Sequence, residues 1–306
     1  MTDHDLDSRV RLAAFDFLRE LAEIHGDSLT RGVLSAGFVF EGRRVPLVGP
    51  QGIFKPAILP EIPLSITTVP IVEGKKRPYD DVIEAGGMIR YRYRGTDPNH
   101  PENRGLRSAM TRRIPLLYLF GLVPGEYQPI WPVYVVRDNP VDLTFWVAAD
   151  AAESIVFGDE PSPDTLVRRS YVTREIQQRA HQKAFQRRVL IAYKEQCAVC
   201  RLRHHRRLLD AAHILEDKHP KGGPIVPNGL ALCKLHHAAF DGNILGIRPD
   251  LRIEIRDDIL EEEDGPMLVH GLQGFQNKEI LVPRSRELKP SPERLEERYA
   301  RFRKAV

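Results

Sequence analysis

The chain has three cysteines, and every one falls in a paired cluster. Cys197 and Cys200 frame the stretch CAVC, and Cys233 and His236 frame CKLH. Two i, i+3 pairs that together offer three sulfurs and one imidazole match the donor set of a tetrahedral structural zinc ion. No other feature restricts the fold so strongly, because the chain between the two pairs must return so that they meet. Three unrelated apolar cysteines would not explain the pairing. An odd number at metal spacing argues against a disulfide framework and for a reducing cytoplasm. A closed four-ligand site has no open position, so such an ion would hold the fold and do no chemistry. In small modules this binding supplies most of the folding free energy, on the order of 10 kcal/mol.

A chain of 306 residues can bury a sizeable core and has room for two domains. Its composition, 42% hydrophobic and 28% charged, is that of a soluble globular protein, and the net charge of +3 says little about partners. The distribution of charge says more. Between Val172 and Leu208 stand Arg174, Arg179, Lys183, Arg187, Arg188, Lys194, Arg201, Arg203, Arg206 and Arg207 against only Glu175 and Glu195. A solvated helix face would give such a run. So would a polyanion-binding surface, and the run leads straight into the metal region. Arg187, Arg188, Arg203 and Arg206 are the candidate nucleic-acid contacts. The N-terminus MTDHDLDSRVRLAAF lacks the form of a secretory signal. No apolar run approaches the roughly 20 residues that span a bilayer. The expectation is a cytoplasmic protein with no membrane partner.

Along the chain, Leu6 to Ile24 reads as an amphipathic helix stopped by Gly26. From Gly37 to about Ala149, short β-branched and aromatic runs are broken by Gly and Pro, as in a small, mostly β domain. FGDEPSPDTLVRRS reads as a linker. A helix is expected from Thr173, as N-cap, to Lys194. The tail begins strand-like in LRIEI and EILVP and ends in a helix opened by Ser291 and Pro292. The fold class is therefore α+β. The domains expected are 1–160, a β-rich unit with an N-terminal helix; 161–196, a linker and basic helix; and 197–306, the metal module with its tail.

Three further residues stand near the metal frame: His213 in LLDAAHILED, Asn228 in VPNGLALC and His237 in CKLHHAAFDG. Their order and spacing, together with the cysteine pairs, resemble the HNH endonuclease family over roughly Phe185 to Ile247. The resemblance implies a ββα-metal fold, with RRLLDAAHIL as first strand and LALCKLHHAAF as helix. On such a helix His237 and Asp241, at i and i+4, share a face and can hold one hard divalent ion, Mg²⁺ or Mn²⁺. His213 would be the general base, its ordinary pKa near 6.5 suiting it to take a proton from water. Asn228 would fix the loop that positions His213. Many family members carry an acid or a second histidine directly before the catalytic histidine. Here that position is Ala212, and Asp210, on the same strand face, is the candidate third ligand or outer partner. Each residue also has a plainer reading. His213 could be a satisfied core histidine, His237 the fourth zinc ligand in place of His236, and Asp241 a helix-end acid facing water. His204 and His205 read as phosphate-side or surface residues.

In the β-rich half, MIRYRYRG alternates Ile89, Tyr91 and Tyr93 with Arg90, Arg92 and Arg94. Aromatic rings beside acids can sandwich an extruded base, and arginines can contact phosphates. The pattern Y-D-D, G-G, Y-x-Y-x-G over Pro78 to Thr96 resembles the SRA domain, a PUA-like β-barrel that flips modified cytosine. That resemblance implies a pocket lined by Tyr79, Asp80, Asp81, Tyr91 and Tyr93. The plain alternative is that the tyrosines fill the barrel core and the arginines form a solvated edge. An SRA-like reader ahead of an HNH module resembles modification-dependent restriction endonucleases, so the expected partner is DNA with modified bases and the expected role is defence. One alternative is an HNH nuclease or nickase with a sequence-specific or partner-binding N-terminal half. Another is an inactive zinc-dependent DNA-binding regulator. One HNH centre cuts one strand, so a double-strand cut implies a homodimer.

Overall fold

The computed structural model describes residues 3–26, 28–70, 88–151, 155–203 and 206–305, which divide into compact units at 1–180 and 181–306. The architecture is mixed α+β.

The first unit opens with α1 (Asp3–His25), whose Val10, Ala14, Phe15 and Leu18 are fully buried. Arg11 is buried among them. It pairs with Asp7 at 2.5 Å and donates to the carbonyls of Ile62, Pro63 and Pro115. A buried cation needs such full pairing, and here it ties α1 to two later loops. Next come β1 (Leu29–Thr30), α2 (Arg31–Ala36) capped by the Thr30 hydroxyl, and the hairpin β2 (Phe38–Phe40) with β3 (Arg43–Val45). Gly37 enters β2 at φ 63°, where a Cβ would meet the Val45 carbonyl at 2.0 Å, so only glycine fits there.

Among the described residues of this unit, the further strands are β4 (Ile53–Phe54), β5 (Ser65–Thr67), β6 (Ile89–Arg92), β7 (Leu116–Val123), β8 (Glu126–Asn139) and β9 (Thr144–Ala149), with α3 (Pro101–Thr111) between β6 and β7. They form one sheet in the order β4-β5-β7-β8-β9-β6, with β1 on β8; only β5 and β7 pair in parallel. Register shifts along β7, β8 and β9 mark bulges, which increase local twist and curl the sheet into a half-barrel. All of β7 is buried. Along β6 and the residue after it the alternation read from MIRYRYRG is realised. Ile89, Tyr91 and Tyr93 turn inward, and Arg92 faces solvent.

α4 (Pro163–Ala192) starts ten residues before the Thr173 expected from sequence, inside the stretch read as a linker. The start signal is Ser162, whose hydroxyl accepts from Thr165 N at 3.2 Å, followed by Pro163. Thr173 lies mid-helix and buried. Its hydroxyl donates to Arg169 O at 2.6 Å and accepts from Ala149 N at 2.7 Å. Buried Asp150 pairs with Arg168 and Arg169 at 3.1 and 2.8 Å, so the end of β9 anchors the early turns of α4.

In the second unit, β10 (Leu209–His213) and β11 (Gly229–Cys233) form an antiparallel pair from Leu209↔Cys233 to His213↔Gly229. α5 (Lys234–Asp241) follows directly. The expected helix LALCKLHHAAF is thus split, its first four residues being strand. A short, wholly buried apolar run carries no period that tells strand from helix, and pairing with β10 decides. The unit continues with β12 (Leu245–Ile247), β13 (Ile253–Ile255), α6 (Asp257–Glu261), α7 (Pro266–Gly271) and α8 (Pro292–Lys304). LRIEI supplies β13, whereas EILVP makes only the single bridge Arg252↔Glu279. Ser291 caps α8 and Pro292 opens it, as the sequence indicated. The core gathers Phe185, Val189 and Tyr193 from the end of α4, the inner faces of β10 and β11, Phe240 and Leu295. Among the described residues no helix is long and apolar enough to cross a membrane.

Candidate active site and metal centre

The ligand atoms of Cys197, Cys200, Cys233 and His236 all lie within 4.8 Å of one another. The Cys197–Cys200 turn is fixed by Arg201 N to Cys197 O at 3.0 Å, and Ala198 N donates to Ala231 O of β11 at 2.7 Å. Cys233 ends β11, and His236 sits one turn into α5. His236 Nδ1 is 3.0 Å from Cys233 Sγ and 3.6 Å from Cys197 Sγ. Its Nε2 meets Gly271 O at 2.8 Å, an outer contact that leaves Nδ1 for the sulfurs, as in metal-bound imidazoles. Burial works against a charged His236, yet the sulfurs of Cys200 and Cys233 outweigh it and lift the imidazole to about 9. The cluster therefore draws positive charge, and its donor set fits a tetrahedral metal ion such as zinc.

The next residue, His237, turns away from the sulfurs. Its Nδ1 lies 3.3 Å from Asp210 Oδ2 on β10, and its Nε2 lies 3.3 Å from Asp241 Oδ2 on its own helix. Asp210 also accepts from Gln186 Nε2 at 2.9 Å, from its neighbour Ala211 N at 2.9 Å, and from Lys234 Nζ at 2.8 Å. Burial disfavours the Asp210 carboxylate, but His237, Lys234 and the Ala211 N–H overcome it and hold the group far below the usual carboxylate range. Asp210 in turn raises His237, against burial and with help from Asp241.

His213 ends β10. One ring face stacks on Phe185 of α4, with centroids 4.1 Å apart and planes 17° from parallel. Its Nε2 is shut off from solvent, and Asp217 Oδ1 approaches it to 3.1 Å, an ion-pair approach without the alignment of a good hydrogen bond. Burial lowers His213 below its ordinary value, Asp217 opposes this, and His237 adds to it. His213, His237 and Asp241 are thus close enough to act on one another's charge. Asn228 is wholly buried behind them. Its Oδ1 accepts from Leu215 N at 3.0 Å, and its Nδ2 donates to the carbonyls of Leu215, Gly222 and Gly223 at 2.9, 2.9 and 3.2 Å. The amide thereby closes the loop that leaves His213.

The arginines singled out from sequence divide. Arg187 and Arg188 are buried. Arg187 pairs with Glu195 at 3.2 Å, and Arg188 donates to Pro224 O at 2.8 Å. Arg203 is exposed, with Arg201 and Arg207, while the side chain of Arg206 lies outside the described residues, as do His204 and His205. In the first unit, Tyr91, Arg92, Tyr93 and Arg94 line a cavity of about 130 Å³ with Gly52 and Thr67. Tyr91 and Tyr93 are themselves only 6% and 2% exposed; Tyr93 stacks on Phe145 and hydrogen-bonds Asp138. Arg90 lies over Trp146 at 5.9 Å. Tyr79, Asp80 and Asp81 lie outside the described residues.

Sequence reasoning did not single out Phe185, Gln186, Asp217 or Lys234. Only Asp217 carried a local hint, four positions after His213 in HILED. Phe185 and Gln186 meet His213 and Asp210 across chain separations that no local period encodes, and Lys234, though three residues before His237 on α5, finds its partner Asp210 across the same kind of separation.

Residues 197–248 match the family model described as HNH endonuclease. No curated protein matches the chain. Among solved structures, the chain is similar to one titled "Modification dependent TagI restriction endonuclease", at 17% identity and a TM-score of 0.30, with 93% of this chain and 90% of that chain covered.

Proposed function

We propose that this chain, which carries an HNH endonuclease domain at residues 197–248, is a metal-dependent DNA endonuclease whose N-terminal unit reads a modified base. The observation that carries the nuclease reading is that His213 lies within charge range of His237 and Asp241, and His237 within 3.3 Å of Asp210 and Asp241, on a strand pair and helix whose junction is held by the Cys₃His cluster. The strand pair and helix stand as a ββα-metal finger in this reading, with zinc as the ion at the sulfurs.

His213 takes a proton from the attacking water. Its lowered pKa keeps it neutral, and so able to accept a proton, at physiological pH. Phe185 fixes the plane of its ring and Asp217 approaches the enclosed Nε2, so we assign the proton-accepting role to Nδ1. The water oxygen forms a bond to phosphorus as the bond to the 3′ oxygen breaks. Asp241 and His237 Nε2 are the donors for a hard divalent cation, Mg²⁺ or Mn²⁺; a carboxylate and an imidazole on one helix face fit it. Such an ion, when bound, stabilises charge on the phosphoryl and leaving oxygens. Asp210 already accepts from Gln186, Ala211 and Lys234, so we assign it the outer role of orienting His237 through Nδ1. Asn228 holds the loop and does not react.

The reading of a modified base is supported by the small cavity lined by Tyr91 and Tyr93, with Arg92 and Arg94 at its wall. An extruded base costs a few kcal/mol to unstack, which aromatic contact can offset. The test is digestion of methylated, hydroxymethylated and plain DNA with Mg²⁺ or Mn²⁺, with His213→Ala as control. Cleavage of modified DNA alone supports the full reading. Equal cleavage of all three retains the nuclease and removes the reader. Cleavage by His213→Ala at the wild-type rate removes the general base.

A further inference from the structure

α8 lies outside the residues that match the family model, yet it touches both sides of the proposed centre. Its seat is firm. Leu295 and Phe302 are buried, and a Cβ on Gly246 would come within 2.7 Å of the Phe302 ring. From this seat Arg298 reaches the end of α5. Its Nη1 donates to Asn243 Oδ1 at 2.6 Å, its Nη2 donates to the Phe240 carbonyl, and its guanidinium lies 4.5 Å over the Phe240 ring.

The physical need for a cation there is specific. α5 has eight residues and Asp241 is its last, followed by Gly242 and by Asn243 at φ 53°. The last carbonyls of a helix lack partners, and the C-terminus carries partial negative charge. An acid at this end is repelled by the dipole and sits in the turn that frays first. Asp241 is 63% exposed, so packing does not fix it. Arg298 adds a charged donor to the preceding carbonyl, that of Phe240, which otherwise has only a long 3.3 Å bond from Asn243 N and a shared cap contact from Gly242 N, and it supplies opposite charge in range of Asp241. Burial lowers the Arg298 pKa, and Asp241 is the leading influence against that fall.

The same helix holds the loop that leaves His213. Ser291 N donates to Pro227 O at 2.9 Å, Arg294 Nε to Lys221 O at 2.9 Å, and Glu297 meets His219 Nε2 at 2.7 Å. α8 thus bridges the His213 side and the Asp241 side.

We infer that Arg298 is a positioning residue for cleavage, holding the last turn of α5 so that Asp241 and His237 present their donors together. This rests on the nuclease reading. Arg298 touches neither substrate nor reacting atoms and acts through Phe240, Asn243 and Asp241.

The experiment uses the full zinc-loaded chain, with nicking of DNA measured against Mn²⁺ concentration for wild type, Arg298→Ala, Arg298→Lys and Asn243→Ala. Arg298→Ala lowers kcat by roughly 10- to 100-fold, the range expected when a reacting group is displaced by about 1 Å. It also raises the Mn²⁺ concentration for half activity, while zinc content and KM for DNA stay near wild type. Arg298→Lys recovers part of both, because it keeps charge but loses the forked contact. Asn243→Ala gives a smaller change in the same direction. Wild-type kcat and Mn²⁺ dependence in a folded Arg298→Ala or Arg298→Lys protein would overturn the inference. If Arg298→Ala does not fold, Arg298→Lys and Asn243→Ala decide it. A wild-type protein that does not nick any DNA refutes the nuclease reading itself.

Discussion

Replacing Asn228 separates support from chemistry, because two substitutions should rank against intuition. In Asn228→Ala the buried Leu215 N–H loses its acceptor, and the carbonyls of Leu215 and Gly222 lose a donor. The Gly223 carbonyl belongs to an exposed residue and can turn to water. Each buried polar group left unpaired costs about 1–3 kcal/mol, so three of them should cost at least about 3 kcal/mol. Asn228→Asp keeps the shape and the acceptor for Leu215 N–H. It then points a carboxylate without protons at three carbonyl oxygens, in a position with no exposure. An uncompensated buried charge costs about 3–5 kcal/mol, so the closer mimic should be at least as damaging. At roughly 3–5 °C per kcal/mol for a unit of this size, either variant should melt about 10 °C or more below wild type. The assay is a thermal melt of the zinc-loaded protein, with hydrogen exchange of the Leu215 amide and nicking rates alongside. Nicking should fall as the amide loses protection. An Asn228→Asp protein that melts with wild type but no longer nicks would show that the amide is a reagent.

Three other outcomes follow from the same structure. Stripping the Cys₃His ion with a strong chelator, or substituting Cys200→Ser, should abolish the melting transition of residues 181–306. The transition of residues 1–180, which have their own core around Val10, Phe15 and Leu119, should remain; an unchanged pair of transitions in calorimetry contradicts this. A Cβ on Gly229 would lie 2.4 Å from Val189 Cγ2 and 2.9 Å from Phe185 Cζ, so Gly229→Ala should cost about 1–3 kcal/mol and slow nicking by moving the ring stacked on His213. Wild-type stability and rate together would refute that packing. A general base works when neutral, so the rate should rise with pH through a midpoint that lies below the ordinary histidine value. Asp217 raises that pKa, so Asp217→Asn should move the acidic limb to lower pH and reduce the plateau. A limb that moves to higher pH contradicts the assigned contact.

What the sequence disclosed and withheld follows the range of the interactions. Cys197 with Cys200, Cys233 with His236, and His237 with Asp241 are each three or four residues apart, so spacing alone places their partners. The caps of α8 are equally local. The start of α4 was also written locally, in Ser162 and Pro163, but Thr173 offered a competing cap and the proline-rich surroundings resembled a linker. GLALC could not be assigned from its own residues, because its strand state depends on β10. The curl of the sheet, the burial of Arg187 and Arg188, the Phe185 stack and the reach of Arg298 to Phe240 join residues far apart in the chain. No periodicity records them.

His236 and His237 are neighbours on a helix of barely two turns, one facing sulfur and the other carboxylate. Successive α-helical residues are rotated by about 100°, so neither imidazole can be swung without swinging the other. Unwinding the helix start to release the first ring must also carry off the second. Titrating out the thiolate-held ion should therefore erase architecture and cutting along one shared curve, with no intermediate that is intact but idle.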